Sequence, residues 1–333
     1  MAPRVTVIVP ARDEAAHIEA CVASILRQEV EGGLEVLVVD GRSCDATAEL
    51  ARRAGATVLD NEARTIPAAL NRGLAEARGE IVVRFDAHAA MAAGYVAACV
   101  TALEEEGAAN VGGWREVLGV GRWGRALGLA LASPLGVGHA RIWRQPGPGE
   151  SRRDVDTVPL GCFPADVLRR SGGWDERLLA NEDFDLNHRL RRAGGRVVFD
   201  PAIRSVYRPR ESLAEIAAQY LRYGHWKAAM VAEAPGSVRL RQLVPPALVL
   251  TVASAAVPGP LARPARAGVA LYAASLAVES LRTRGGWRLP VVLATMHLSW
   301  GAGLLGGLAR PPLGRGGDEP PAARTAPQGP ASP

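Results

Sequence analysis

The sequence predicts an α/β fold: a mainly parallel sheet flanked by helices, with apolar helices at its C-terminal end. Three observations predict it. Short β-branched runs alternate with helix-spaced segments through the first hundred residues. Polar residues cluster just beyond those runs, at positions 10–14, 40–45 and 86–88. Three apolar, almost uncharged segments follow late in the chain, at 243–257, 265–281 and 289–308.

The elements follow in order. Residues 5–10 (VTVIVP) form an apolar run ended by proline, the pattern of a buried strand. The run is far shorter than the core of a signal peptide. Ile18, Val22, Ile25 and Leu26 recur at helical spacing within 14–29. Residues 34–40 (LEVLVVD) are a second strand, 45–54 a helix, and 56–60 (ATVLD) a third strand. A helix spans 66–77, with Gly79 just past its end, and 80–86 (EIVVRFD) is a fourth strand. Short apolar strands between helices imply a sheet covered on both faces. In such sheets ligands sit beyond the carboxyl ends of the strands, where the polar clusters fall.

A Gly- and Arg-rich middle, 111–153, holds one amphipathic helix near 123–131 and a loop at 145–153. Order returns at 155–163, then a short helix from Pro164 and the turn GGWDE at 172–176. Asn181 is placed to cap a helix over 182–193, which Gly194 and Gly195 end. Residues 196–200 (RVVFD) read as another strand and 213–230 as a helix. Of the late apolar segments, the third is long enough to span a bilayer. The first two are shorter, and the first carries Pro245 and Pro246; each spans, re-enters or lies in the interface. Trp287 and Trp300 suit membrane boundaries. The competing reading is buried helices of a soluble domain. Arginines lie in both connections, at 263 and 266 and at 282, 284 and 288, so alternating spans cannot keep both on one side. The expected division is 1–235 catalytic, 240–309 membrane-associated, and 310–333 a Pro- and Gly-rich disordered tail.

Composition narrows the partners. The chain has 333 residues, 48% of them apolar but only 5% aromatic, so aliphatic side chains must fill the core. Net charge is +5, nearly every base is arginine, and Lys227 is the single lysine. That balance suits nucleic acid, anionic lipid or an anionic substrate. The bases are spread along the chain and no run resembles a nucleic-acid arm, so nucleic acid is not expected. Cys21, Cys44, Cys99 and Cys162 show neither zinc nor disulfide spacing, which fits a reducing compartment.

Four clusters carry the chemistry. Asp40 ends a strand in VVDGRSCDAT, where a carboxylate accepts from a base N–H or a ribose hydroxyl; a turn aspartate with Asp45 as helix cap explains it equally. Asp86 and His88 stand two apart in an extended segment and so point the same way. A carboxylate and an imidazole can hold one divalent cation, Mn²⁺ better than Mg²⁺. A solvated loop is the plainer alternative. Glu182 and Asp183 open a helix, as capping acids do, and an unpaired carboxylate there would serve as a general base. Gln219, Arg222, Tyr223, Trp226 and Lys227 share one helix face that suits a sugar and phosphate site, an interface helix or a solvated stripe. No GxGxxG follows the first strand, which argues against a dinucleotide fold.

Taken in order, VIVPARDE, VVDGRSCDAT, ALNRG, RFDAHA, GGWDE, NEDFDLNHRLRRAG and QYLRYGHWK resemble the family-2, GT-A-fold glycosyltransferases over residues 4–230. Within them the series looks most like the bacterial succinoglycan and exopolysaccharide branch. The resemblance implies a membrane-bound, inverting enzyme, with its catalytic domain on the cytoplasmic side of the cell membrane. It would move a hexose from a nucleotide sugar, most simply a UDP-sugar, to a glycan or lipid-linked acceptor, with Mn²⁺ or Mg²⁺. By the same resemblance Pro10, Arg12 and Glu14 line the nucleotide pocket and Asp40 meets the base. Arg64 and Asn71 lie near the donor, and Asp86 and His88 stand at the family's DxD metal motif. Asp183 is the base with Glu182 beside it, and Gln219, Arg222, Tyr223 and Trp226 hold acceptor or diphosphate. His88 in place of a second Asp puts the metal preference in question. QYLRYGHWK departs from a strict QxxRW, which favours single-sugar transfer over polymer synthesis. Two other classes compete. A sugar nucleotidyltransferase needs a Gly-rich loop after the first strand, which VIVPARDE lacks. A non-catalytic membrane scaffold would not need Asp40, Asp86, Asp183 and Arg222 together.

Overall fold

The computed structural model describes residues 2–137, 141–233 and 238–310. The expected disordered tail, apart from Arg310, lies outside the described residues, as does the chain around the expected boundary near 235. Strands β1 (Val5–Ala11), β2 (Leu34–Asp40), β3 (Thr57–Asp60) and β4 (Ile81–Arg84) alternate with helices α1 (Ile18–Leu26), α2 (Thr47–Arg53) and α3 (Ile66–Glu76). All four strands are parallel, in the order β3-β2-β1-β4.

Beyond β4 the sheet is mixed, so the parallel part of the mainly parallel sheet expected is β1 to β4 with the β6–β9 pair. Next along the chain come β5 (Ala90–Met91), α4 (Tyr95–Glu106), β6 (Asn110–Val117), α5 (Arg122–Ala132), α6 (Pro134–Val137) and β7 (Arg153–Asp154). They are followed by β8 (Cys162–Pro164), α7 (Ala165–Arg170), α8 (Glu182–Arg192) and β9 (Val197–Tyr207). β8 inserts antiparallel between β4 and β6, while β6 and β9 run parallel. These later strands are too short or too irregular in pattern for the sequence to have shown their direction.

The core explains the pattern of β1. Val5, Val7 and Val9 face α1 and α4, packing with Ile18, Val22, Ile25 and Val96. Ile8 faces the other way, toward Leu70 and Leu74 of α3. α3 approaches so closely that a Cβ at Gly73 would lie 2.4 Å from Ile8 Cγ2. Leu26, expected on the buried stripe, is exposed instead, because α1 ends there and the chain turns away.

Four further helices form a layer at one end: α9 (Leu213–Glu233), α10 (Val244–Ala256), α11 (Ala262–Thr283) and α12 (Arg288–Ala309). α12 is long and apolar enough to cross a membrane, the only such helix among the described residues. It is also the centre of this layer. Leu289, Val292, Leu293 and Met296 pack with Leu127 and Leu131 of α5, Ile216 of α9 and Leu276 of α11. Glycines bring α12 and α9 nearly into backbone contact. A Cβ at Gly224 would lie 2.0 Å from Trp300 O, and one at Gly303 would lie 2.1 Å from Leu221 O.

Candidate active site

The carboxyl ends of β1 and β2 are tied together. Ala11 registers with Asp40, and Gly41 N–H donates to Ala11 O at 2.8 Å. The loops beyond them are laced by side chains. Asp13 accepts from Cys44 N–H at 2.7 Å, Asp13 N–H donates to Ser43 Oγ, and Glu14 N–H donates to Thr47 Oγ1 at 2.8 Å. Asp40 is buried, and its two oxygens accept from Ser43 N–H (3.1 Å) and Ser43 Oγ–H (2.5 Å). The Ser43 bonds close a turn at Asp40. Asn61 N–H donates to Asp40 O, which brings the loop bearing Arg64 to the same sheet edge. Arg64 is exposed there in the left-handed backbone region, φ 59°.

The centre of the acidic cluster is a residue the motifs did not single out. Arg84, the last residue of β4, is buried. Its guanidinium lies 3.3 Å from Asp86 Oδ1 and 3.3 Å from Glu182 Oε1, and it pairs with Asp183. Arg115, from β6, reaches Asp86 Oδ2 at 3.0 Å from the other side. Its cation stands over the Tyr207 ring at 4.5 Å and the Trp143 ring at 5.5 Å. Asp86 and the adjacent Glu182 and Asp183, nearly a hundred residues later, therefore meet around two arginines at the carboxyl end of the sheet, so Asp183 is not the unpaired carboxylate expected from sequence. A signal for Arg84 existed: it is the one charged residue in an otherwise apolar strand. Arg115 had no such mark.

Burial alone would raise the Asp86 carboxyl, but the charges of Arg84 and Arg115 outweigh it and hold it far below the usual carboxylate range. Asp86 is thus kept in the ionised form that binds cations. His88 Nδ1 lies 3.2 Å from Glu14 Oε1. Burial works against its charge, yet the Glu14 contact and the nearby Asp86 carboxylate raise its pKa above the ordinary value. Glu14, expected in the nucleotide pocket, makes this contact with His88. No group of three or more His, Cys, Asp or Glu side chains is arranged for a metal among the described residues. Asp86 and His88 fit as two ligands of an open site, provided His88 sheds its proton and its partner.

Asp183 is aimed by a relay from α3. Asn71 accepts from Trp174 N–H (2.9 Å) and donates to Trp174 O (2.8 Å) and Glu176 Oε1 (2.9 Å). Trp174, 1% exposed, then donates from Nε1 to Asp183 Oδ1 at 3.1 Å. Asn71 therefore braces the GGWDE turn. A cleft of about 430 Å³ that it lines, with Asp60, Glu62 and Glu176, includes none of Arg84, Asp86, His88 or Asp183.

Asn181 holds the N-cap position of α8 but caps nothing with its side chain. Its backbone is left-handed, φ 68°, and its amide donates to Tyr223 O at 3.2 Å, joining α8 to α9. The capping expected from sequence is lost to this tertiary bond. A second bond between the helices is Lys227, whose ammonium stands over the Phe184 ring at 4.2 Å. Burial, with Arg239 nearby, lowers the Lys227 pKa to about 8. On α9 Gln219 donates to Tyr223 Oη at 3.1 Å, and burial raises the Tyr223 hydroxyl to about 12. Arg222 is exposed, and Trp226 stacks edge-on with His225. Pro10 lies within β1 and Arg12 just beyond it, 3.9 Å from Asp13.

A parallel βαβ half ending in a laced nucleotide-side loop, joined to a mixed half that brings Asp86 and Asp183 together, defines a GT-A-type transferase domain. The comparisons agree. A sequence model of glycosyl transferase family 2 matches residues 6–173, and the chain belongs to that family. It is 29% identical over 310 residues to the succinoglycan biosynthesis protein ExoA of Rhizobium meliloti (strain 1021), covering 89% of this chain and 92% of that one. A dolichyl N-acetyl-α-D-glucosaminyl phosphate 3-β-D-2,3-diacetamido-2,3-dideoxy-β-D-glucuronosyltransferase of Methanococcus voltae is 22% identical over 326 residues, 92% and 97% of the two chains. Among solved structures, mannosyltransferase PcManGT of Pyrobaculum calidifontis, in complex with GDP-Man and Mn²⁺, aligns with TM-score 0.59 at 24% identity, over 90% and 87% of the chains.

Proposed function

We propose that this protein is an inverting, metal-dependent hexosyltransferase that passes one sugar from a UDP-sugar to a lipid-linked or growing glycan acceptor. The observation that carries the reading is the meeting of Asp86 and Asp183 on Arg84. Residues 1–235 are the catalytic part and 240–309 its membrane-associated part. Its place is the cell membrane, with the catalytic part on the cytoplasmic side. ExoA, by its name a succinoglycan biosynthesis protein, and the Methanococcus enzyme, by its name acting on a dolichyl phosphate sugar, support a glycan or lipid-linked acceptor.

Each side chain has a role. Asp86 and His88 hold a divalent cation, whose charge would neutralise the leaving diphosphate. Pro10, Arg12, Asp40, Arg64 and Asn71 shape the donor side. Asp183 takes the proton of the acceptor hydroxyl as that oxygen attacks the anomeric carbon, a role worth about 10²–10⁴-fold in rate. Arg84 pairs with that carboxylate and Trp174 Nε1–H donates to it, which orients it, with Glu182 beside it on the same guanidinium. Gln219, Arg222, Tyr223 and Trp226 hold the acceptor or the diphosphate on the α9 side.

The test is a panel of UDP-sugars with Mn²⁺ or Mg²⁺ and membrane lipid extract, read as nucleotide release. Release that needs metal and rises when lipid extract is added is expected. Asp86→Ala should lose metal-dependent donor affinity by calorimetry; unchanged affinity removes Asp86 from the metal role.

A further inference from the structure

The enclosed position of α12 changes what the membrane segments do. Apart from Ala302, Gly306, Leu308 and Ala309, every residue from Arg288 to Ala309 is buried or half-buried within the protein. The one helix with spanning length is therefore wrapped by α5, α9, α10 and α11. The apolar surface lies on α10 and α11, where Leu250 is 56% exposed, Leu271 73% and Leu281 80%.

Neither of those two helices offers an uncharged stretch long enough to cross. At 1.5 Å per residue α10 is about 20 Å long, and the uncharged stretch 267–278 of α11 about 18 Å, against a hydrocarbon thickness of about 30 Å. A spanning α11 would draw Arg266 or Arg282 into the hydrocarbon.

Charge names the surface they fit. From Arg263 to Arg310 there are six arginines and one acid, Glu279. That acid is buried, accepting from Ser133 Oγ–H at 2.7 Å and pairing with Arg282 at 3.1 Å. The exposed balance is wholly cationic and borders exposed leucines. Arg288 adds an interfacial cluster, its guanidinium 4.5 Å from the Trp287 ring centre, with Trp123 edge-on to Trp287 at 5.7 Å.

We propose that the chain lies on one leaflet of an anionic phospholipid bilayer through the exposed faces of α10 and α11, without crossing it. Both arginine-bearing connections then sit on the same side as the catalytic part, which removes the conflict that alternating spans create. The proposal rests on the lipid-linked acceptor reading only for its purpose; the helices dock whatever the reaction is.

The experiment uses the full chain and two readouts. In flotation with phosphatidylcholine vesicles, with and without phosphatidylglycerol, it should float only with the anionic lipid and release partly at high salt. Arg263→Gln with Arg284→Gln should weaken that binding at least ~10-fold at low salt. Metal-dependent donor hydrolysis without vesicles, measured in parallel, should be unchanged; its loss in the wild type would strike the catalytic reading instead. For topology, native Cys44 is exposed and marks the catalytic side, and the other three cysteines are buried. In a Cys44→Ser background, Gly259→Cys and Arg284→Cys report the two connections. In sealed membrane vesicles of both orientations from expressing cells, an impermeant maleimide should label both from the side that labels Cys44. Labelling of either only from the opposite side overturns the proposal. So does equal binding to neutral vesicles, or a lipid-free dimer that protects Leu271→Cys.

Discussion

Arg84 and Asp183 form an ion pair across 98 intervening residues, joining the end of β4 to the first turn of α8. Arg84 simultaneously contacts Asp86 and Glu182, so one buried guanidinium neutralises the acids of both the candidate metal side and the candidate base side.

Removing that cation should be costly. Arg84→Gln leaves three carboxylates crowded with only Arg115 beside them, and a broken buried pair costs about 3–5 kcal/mol. Arg84→Lys keeps the charge but loses the planar fork that reaches several partners at once. Urea unfolding should rank wild type above Lys above Gln, and turnover should fall in the same order. Equal stability of all three would remove Arg84 from its central place.

Lys227 gives a pH prediction. Its folded pKa, about 8, lies below the 10.5 of a free lysine. The unfolded chain therefore holds this proton more tightly, and the folded state is penalised while the amine is charged. The sign follows: this contribution to stability improves as pH rises from about 8 to about 10.5. Lys227→Met should be more stable than wild type at pH 7, by a difference on the order of 3 kcal/mol. That gap should close across the same interval in thermal melts at stepped pH. A gap that is constant with pH would contradict it.

The α9–α12 contact should tolerate no side chain at its glycines. A Cβ at Gly224 has no room beside Trp300 O, so Gly224→Ala must push the two helices apart, at about 1–3 kcal/mol. Because α9 also holds Asn181 through Tyr223 O, the same change should lower turnover. Gly306→Ala on α12, where a Cβ meets nothing within 4 Å, is the control and should leave melting temperature and turnover unchanged.

The parallel half of the fold was legible because β1, β2 and β4 are buried on both faces over most of their length and read as continuous apolar runs, from VTVIVP to EIVVRFD. The mixed half was less so. β8 has three residues and β5 two, and neither direction nor neighbour is written in so few positions. Within the site, Asp86 and Asp183 stood out by their motifs, while their mutual partner Arg84 is a property of the folded sheet. Asn181 misled because its sound local role, capping, is overridden by a tertiary partner, Tyr223 O. The late apolar segments gave their helices correctly. Which one faces outward depends on the glycine contacts between α9 and α12, which hydropathy does not record.

Asp183→Asn tests the central claim most directly, because it removes the proposed base while keeping the shape and the Trp174 contact. Donor binding by calorimetry and the melting curve should stay near wild type, while sugar transfer to lipid extract falls by about 10²-fold or more. Transfer at the wild-type rate in that variant would contradict the account.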